Sequence, residues 1–158
     1  MVRVGNTLVT SINGAVNFTV VSDARFKQNV QHDVRGLDFV MKLKPVTYNY
    51  DVPALRERMM EGYERDKQGN LLRVSDPETE AAIAKQSGIR YTGFLAQEVE
   101  RAARESGFTF SGVDTPDNDA DLYGLRYAEF VVPLVKAVQE QQATIERLEK
   151  RIAELENR

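Results

Sequence analysis

The feature that most restricts how this chain can fold lies at its C-terminal end. There Leu134, Val138, Gln141, Ile145, Leu148, Ile152 and Leu155 recur at alternating spacings of four and three. That is the a/d seam of a coiled coil, and only Gln141 breaks its apolar character. At 1.5 Å per residue the helix runs for roughly 35 Å, and nothing else in a chain of 158 residues is long enough to cover its stripe. The expected cover is another copy of the chain; the alternative is that the helix folds back on the globular part. Val138, Ile145 and Ile152 take the a positions, and Leu148 and Leu155 the d positions, which puts Arg151 at g and Glu156 at the following e. In a parallel alignment these charges can pair between chains for a fraction of a kcal/mol. Ile at a with Leu at d leans by itself towards two strands, and the polar layer at Gln141 fixes register. Periodicity alone leaves the copy number open.

What remains suffices for one compact domain. Hydrophobic residues make up 42% of the chain, enough for a modest core and no second full domain. The net charge of −3 provides no basic excess, so no nucleic-acid partner is expected. There is no cysteine and a single histidine, His32. Disulfides, thiolate zinc sites, cysteine nucleophiles and histidine metal clusters therefore drop out, and no metal or cofactor is implied. No apolar run approaches the roughly 18 to 20 residues of a membrane span, and the N-terminus lacks a charged-then-apolar signal pattern. The chain reads as soluble, with no membrane partner.

Residues 1–21 are short alternating runs rich in β-branched residues, Leu8 to Ile12 and Ala15 to Val21, separated by Asn13-Gly14. That pattern predicts a β hairpin. An isolated two-stranded hairpin is barely stable in water, so this one needs the domain behind it or copies of itself from other chains. It looks like the end of something longer. Further along, Leu37 to Leu43 has a short helical pattern stopped by Lys44-Pro45, and Val46, Tyr48 and Tyr50 alternate as a half-buried strand. Residues 51–90 are the least hydrophobic stretch and read as a solvated insertion. Within it a turn is expected at Asp66 to Asn70, and a capping box at Ser75 to Glu78 opens a helix to about Gln86. A short strand near Ile89 and Tyr91 leads into a helix from Phe94 to Ala103 that ends near Gly107. Residues 111–121 are acidic, but without the spacing and closing Glu of a calcium-binding EF-hand they read as a turn-rich loop. Tyr127, Phe130, Val131 and Leu134 share a helical face expected to dock on the globular part, with Pro133 in a first turn or at a kink.

The candidate chemistry lies at the end of the β segment, in Ser22-Asp23-Ala24-Arg25-Phe26-Lys27. A serine hydroxyl needs a base to become a nucleophile. A lysine amine, with a pKa of about 10.4 in water, can serve if burial or a neighbouring cation makes it easier to deprotonate. Arg25 and the apolar flank of Phe26 and Val30 could act in that direction. Five residues apart is neither one face of a helix nor one face of a strand, so a turn or a neighbouring chain must bring the pair together. Alone, the pair says little.

Four ordered blocks say more. They are Ser22-Asp23-x-Arg25-x-Lys27; Leu43-Lys44-Pro45-Val46-x-Tyr48-x-Tyr50; Gly93-Phe94-Leu95-Ala96-Gln97-Glu98-Val99; and Leu125-x-Tyr127, leading into Val135 to Gln141. Together they resemble the endosialidase-type intramolecular chaperone domain, the self-cleaving C-terminal module of phage tail spikes and fibres. The resemblance runs from Ser22 to the end of the chain. It implies a homotrimer that winds an upstream β-rich fibre segment of the same chain and then cuts itself off with a serine-lysine dyad, as a single-turnover serine endopeptidase. Ser22 is then the nucleophile and Lys27 the general base. The bond follows from ring size: attack by the Ser22 hydroxyl on the Val21 carbonyl closes a five-membered ring, whereas attack on its own carbonyl needs a strained four-membered one. Cleavage is expected between Val21 and Ser22, in cis or in trans.

Asp23 either holds Lys27 or caps a turn, Arg25 or backbone amides offer charge to the oxyanion, and Gln97 and Glu98 either support the dyad or shape the first turn of their helix. The expected architecture is α+β: a β stub over 1–21, a globular domain over 22–132 with the charged insertion, and a trimeric coiled coil over 133–158. By resemblance the setting is a phage tail or a bacterial surface, after folding in the host cytoplasm. With only 21 residues before the cut, the client fibre lies outside the sequence, which reads as the end of a larger protein. Two other readings are a trimerisation and capping module that does not cleave, and a receptor-binding tip using residues 51–90 and 111–121.

Overall fold

In a computed structural model, residues 4–119 and 121–157 are described. In chain order the elements are α1 (Leu37–Val40), β1 (Val46–Tyr48), α2 (Val52–Arg58), β2 (Tyr63–Arg65), β3 (Leu71–Arg73), α3 (Pro77–Ser87), β4 (Tyr91–Gly93), α4 (Ala96–Glu105), β5 (Val113–Asp114), β6 (Gly124–Leu125) and α5 (Val131–Glu156). Two 3-10 turns, Ala24–Phe26 and Tyr127–Phe130, complete the set. The fold class is α+β, with small two-stranded sheets β1-β4, β2-β3 and β5-β6 and a long C-terminal helix. The chain forms two compact units. One comprises residues 4–21 and Thr47–Thr92, the other Ser22–Val46 and residues 93–157.

The second unit is built around Phe39, Val99, Ala102, Ala103 and Phe130. Phe39 is 0% exposed and packs its ring edge-on to Phe108 (centroids 5.3 Å apart) and tilted against Phe110 (4.9 Å). The small Ala102 and Ala103 let α4 approach this aromatic group closely, which explains two alanines on its inner face. Helix α1 has only four residues and cannot satisfy its own N-terminal amides. Glu140 of α5 does so, accepting from Leu37 N at 2.8 Å. Gly36 makes that approach possible, because a Cβ there would stand 2.8 Å from Ala137 N and 2.6 Å from Glu140 Oε2. β5 and β6 pair antiparallel, and Arg126 braces them through Asp114 (2.5 Å) and the Ser111 carbonyl (2.6 Å).

The docking face at the base of α5 differs from the expected one. Of Tyr127, Phe130, Val131 and Leu134, only Phe130 is buried, and Pro133 and Ala137 join it instead. The cause is the 3-10 turn over Tyr127–Phe130, which winds at three residues per turn and rotates the following α-helical face away from the extrapolated one. Tyr127 stacks on Phe94 at 6.3 Å, and its hydroxyl accepts from Phe94 N at 3.2 Å. Pro133 sits in the first turn of α5, among the N–H positions that lack an intrahelical partner. Beyond that base, the seam residues Leu134, Val138, Ile145, Leu148, Ile152 and Leu155 are 48–62% exposed, and Gln141 is exposed as well. This chain does not fold back to cover its own stripe.

The first unit has a small interior of its own, so the 51–90 stretch is more than a solvated insertion. Val52 on α2 is 1% exposed and Ile83 on α3 7%. Asp66 turns β2 into β3 as expected, its Oδ1 accepting from Gln68 N and Asn70 N at 2.8 Å each. The cap of α3 is Asp76 rather than Ser75, with Oδ1 accepting from Thr79 N at 2.8 Å. Pro77 at the first helical position fixes the cap on the residue before it, and the Ser75 hydroxyl donates to Glu80 instead.

Between residues 4 and 21 the chain forms no strand, so the expected hairpin is not made here; residues 1–3 of that segment lie outside the described residues. Apart from half-buried Leu8, its large apolar side chains stand in solvent, Phe18 at 98% exposure. A two-stranded ribbon with nothing against its apolar side lacks the burial that would hold it.

Candidate active site

The sequence problem at Ser22 and Lys27 was how two residues five apart could meet. A single 3-10 turn does it. Asp23, in extended conformation, opens the turn by accepting from Arg25 N at 2.9 Å, and its carbonyl accepts from Phe26 N at 3.1 Å. Lys27 N donates to Ala24 O at 3.1 Å and its backbone then returns to the extended region. With one tight turn between them, the side chains of Ser22 and Lys27 lie on the same side. Lys27 Nζ donates to Ser22 Oγ at 2.7 Å.

Arg25 locks the turn from outside. Its Nε lies 3.0 and 3.1 Å from the two Asp23 oxygens and its Nη2 lies 2.6 Å from Oδ2, a fork-to-carboxylate pairing. The Arg25 side chain, and after it the Arg25 backbone N–H, hold the Asp23 carboxyl below the usual carboxylate range, and the same pairing raises Arg25. The guanidinium also sits 5.8 Å from the centroid of the Phe26 ring. Of the two roles open to Asp23, the geometry therefore gives turn capping, with Arg25 as its ionic partner. Arg25 is engaged by Asp23 rather than directed at the Val21 carbonyl.

Gln97 and Glu98 occupy the first turn of α4, where Glu98 N donates to Leu95 O at 3.0 Å. The Glu98 carboxylate lies 3.3 Å from Arg101 and 3.9 Å from Lys44, and Gln97 is exposed. Among the described residues, no hydrogen bond or ion pair joins either one to Ser22 or Lys27. Ser22 and Lys27 are both exposed, so one chain supplies contact without the water exclusion that strengthens polar chemistry.

Two boundaries coincide at this site. The compact units divide in sequence between Val21 and Ser22, and a model of the peptidase S74 family, described as the chaperone of endosialidase, matches residues 22–108. The match covers more than half of the chain and begins on the serine. The chain belongs to the endosialidase-chaperone family. No curated protein matches it. The family match takes in the Ser22-to-Lys27 turn, Phe39, the first unit's 47–92 segment and α4. It stops before α5, so the expectation that α5 pairs with other copies rests on heptad spacing and exposure, independently of the family. Sequence reasoning missed Gly36 and gave Glu140, which lies in the fourth block, no role; the two tie α1 to α5. Spacing signals neither role, since both exist only once residues about a hundred positions apart are packed together.

Proposed function

We propose that this endosialidase-chaperone domain assembles as a homotrimer, holds three upstream β-rich fibre or spike segments in register, and releases itself by cutting between Val21 and Ser22. The observation that carries the reading is the 2.7 Å contact of Lys27 Nζ with Ser22 Oγ, on the first residue of the family match.

The chemistry needs no group from outside the chain except water. In the resting contact the ammonium donates to the hydroxyl; once Lys27 is neutral the direction reverses and Nζ accepts the Ser22 proton. Oγ then bonds to the Val21 carbonyl carbon, closing a five-membered ring with Cβ, Cα and N of Ser22. Collapse breaks the Val21–Ser22 C–N bond, and the nitrogen leaves as an amine carrying the proton returned by Lys27. The result is an ester of Val21 on Ser22 Oγ. Water, deprotonated by Lys27, attacks that ester, and Oγ departs with a proton. The products are a Val21 carboxylate and a free Ser22 α-amine. Backbone N–H groups are the oxyanion donors available without breaking the Arg25–Asp23 pair.

Assembly supports chemistry by what it covers. The exposed seam of α5 calls for partner helices, and trimer packing around residues 22–30 would exclude water from the Ser22–Lys27 contact, which strengthens polar chemistry there. Folding of three chains would thereby switch the dyad on. A trimerisation and capping module that does not cut is the second reading, favoured by the exposure of Ser22 and Lys27 in one chain. Intact mass over time separates the two. Self-cleavage removes roughly 2 kDa, the share of 21 of 158 residues in a 17.9 kDa chain, and Ser22→Ala abolishes that loss. A folded wild-type trimer that keeps its full mass leaves only the second reading.

A further inference from the structure

The contact least expected from the sequence lies in the unit formed by residues 4–21 and Thr47–Thr92. There the segment upstream of the Val21–Ser22 bond is gripped at one residue. The Glu61 carboxylate accepts from Thr7 N at 3.0 and 3.2 Å and from the Thr7 hydroxyl at 2.5 Å. Arg56 completes the arrangement, with Nη1 3.3 Å from Thr7 Oγ1 and 3.4 Å from Glu61 Oε2. The Arg56 and Glu61 side chains are only 12% and 17% exposed, so salt screens this pair far less than a surface one.

The local sequence builds the grip on purpose-shaped backbone. Arg56 and Glu61 are five apart and would diverge on a continuing helix. Helix α2 instead ends at Arg58, and the chain doubles back through left-handed Met60 (φ 57) and Gly62 (φ 80), with Glu61 N donating to Arg56 O at 2.8 Å. The positive φ favours glycine at Gly62, and a Cβ there would stand 2.9 Å from Arg56 Nη2 and push the guanidinium off its place. On the other side, Asn6 Oδ1 accepts from Leu8 N at 2.9 Å and Asn6 O from Val9 N at 3.2 Å, a turn that presents the Thr7 amide and hydroxyl together. Among the described residues, no hydrogen bond ties residues 10–21 to the rest of the chain, so the hold on this segment is concentrated at Thr7.

We propose that Arg56 and Glu61 form a clasp for the chain's own upstream segment, one that keeps residues 4–21 bound after the Val21–Ser22 bond is cut. The chemistry it recognises is a turn presenting a backbone N–H beside a Thr or Ser hydroxyl. The clasp's existence rests on the contacts above, and its timing rests on the cleavage reading. Cutting would then free the covalent link without at once freeing the client end, which leaves by a separate, slower step.

Two arms of one experiment keep these apart. In the full Ser22→Ala chain, which cannot cut, amide hydrogen exchange at Thr7 is slowed, and adding Glu61→Ala speeds it by at least about tenfold while the amides of α2 keep their protection. In the wild-type chain after cleavage, residues 1–21 co-elute with the remainder on size exclusion. Thr7→Ala speeds their dissociation by at least about tenfold, and Thr7→Ser, which keeps the hydroxyl, does not. Unprotected Thr7 exchange in the uncut chain overturns the clasp, as does retention unchanged in Thr7→Ala. If no cleavage occurs, the exchange arm still decides the clasp, and the failure belongs to the cleavage reading.

Discussion

Lys27 reaches back over one 3-10 turn to set its Nζ 2.7 Å from Ser22 Oγ, and that turn is held by Asp23 and Arg25, the two residues between them that carry opposite charges. A spacing that fits neither helix nor strand thus becomes a contact through local hydrogen bonds alone. The pair is built within a single chain. What one chain does not supply is cover, because both side chains remain exposed.

Replacing Lys27 separates geometry from proton transfer. Lys27→Ala removes the proposed base and Lys27→Arg keeps a cation that does not give up its proton near neutral pH. Both variants should keep their full mass while eluting as the wild-type oligomer. Cleavage by Lys27→Arg at a rate near wild type would remove the general-base role.

Asp23→Ala should leave assembly intact and slow cleavage by about 10- to 100-fold, the scale on which small misplacements of reacting groups act. The pH dependence has a definite sign. Asp23 is held below its ordinary value of 3.8 by Arg25, so its pairing stabilises the turn above the unfolded-state value and is lost as pH falls through the lower folded value. Carboxyl NMR should place the Asp23 midpoint below 3.8, and Arg25→Ala should move it back up. Unshifted titration in the wild type would mean that the turn is not held by this pair.

The tie between α1 and α5 predicts a graded series. Glu140→Ala leaves the Leu37 amide without its acceptor and should cost about 1–3 kcal/mol in denaturant unfolding, whereas Glu140→Gln, which keeps an oxygen there, should cost less. Gly36→Ala, forced against Ala137 N and Glu140, should also cost about 1–3 kcal/mol.

Phe39 is the most enclosed aromatic of the second unit. Phe39→Ala should lower stability by about 3–5 kcal/mol, enough to erase a large share of the stability of a small domain. Circular dichroism during urea unfolding measures it, and a loss below 1 kcal/mol would mean that the aromatic cluster is not the core.

How much of this could be read beforehand differs by physical cause. The helix α5 and the apolar stripe it leaves exposed were legible because heptad spacing is a property of consecutive residues, and so was the α1 pattern from Leu37. The docking face was placed only in part: Tyr127 and Phe130 do pack on Phe94, but Pro133 and Ala137 are buried in place of Val131 and Leu134, because a 3-10 turn changes the winding without an obvious residue signature. The hairpin was predicted from β-branched runs and Asn13-Gly14, yet residues 9–21, which hold most of those runs, are exposed throughout, with nothing packed against them. Ser22 and Lys27 carried no signal by spacing, and it was the ordered blocks shared with a family that singled them out. The Thr7, Arg56 and Glu61 contact left no trace in the sequence, since it joins positions about fifty residues apart through a left-handed turn.

The central claim is that assembly through α5 enables chemistry at a bond more than a hundred residues away, and intact mass followed over time with light scattering tests it in one preparation. The wild type should run as a trimer and lose roughly 2 kDa per chain, the mass share of residues 1–21. Ile145→Asp, which places a charge in the seam, should be monomeric and keep its full mass. A monomeric Ile145→Asp chain that still cuts itself, or a wild-type trimer that never does, would contradict the account.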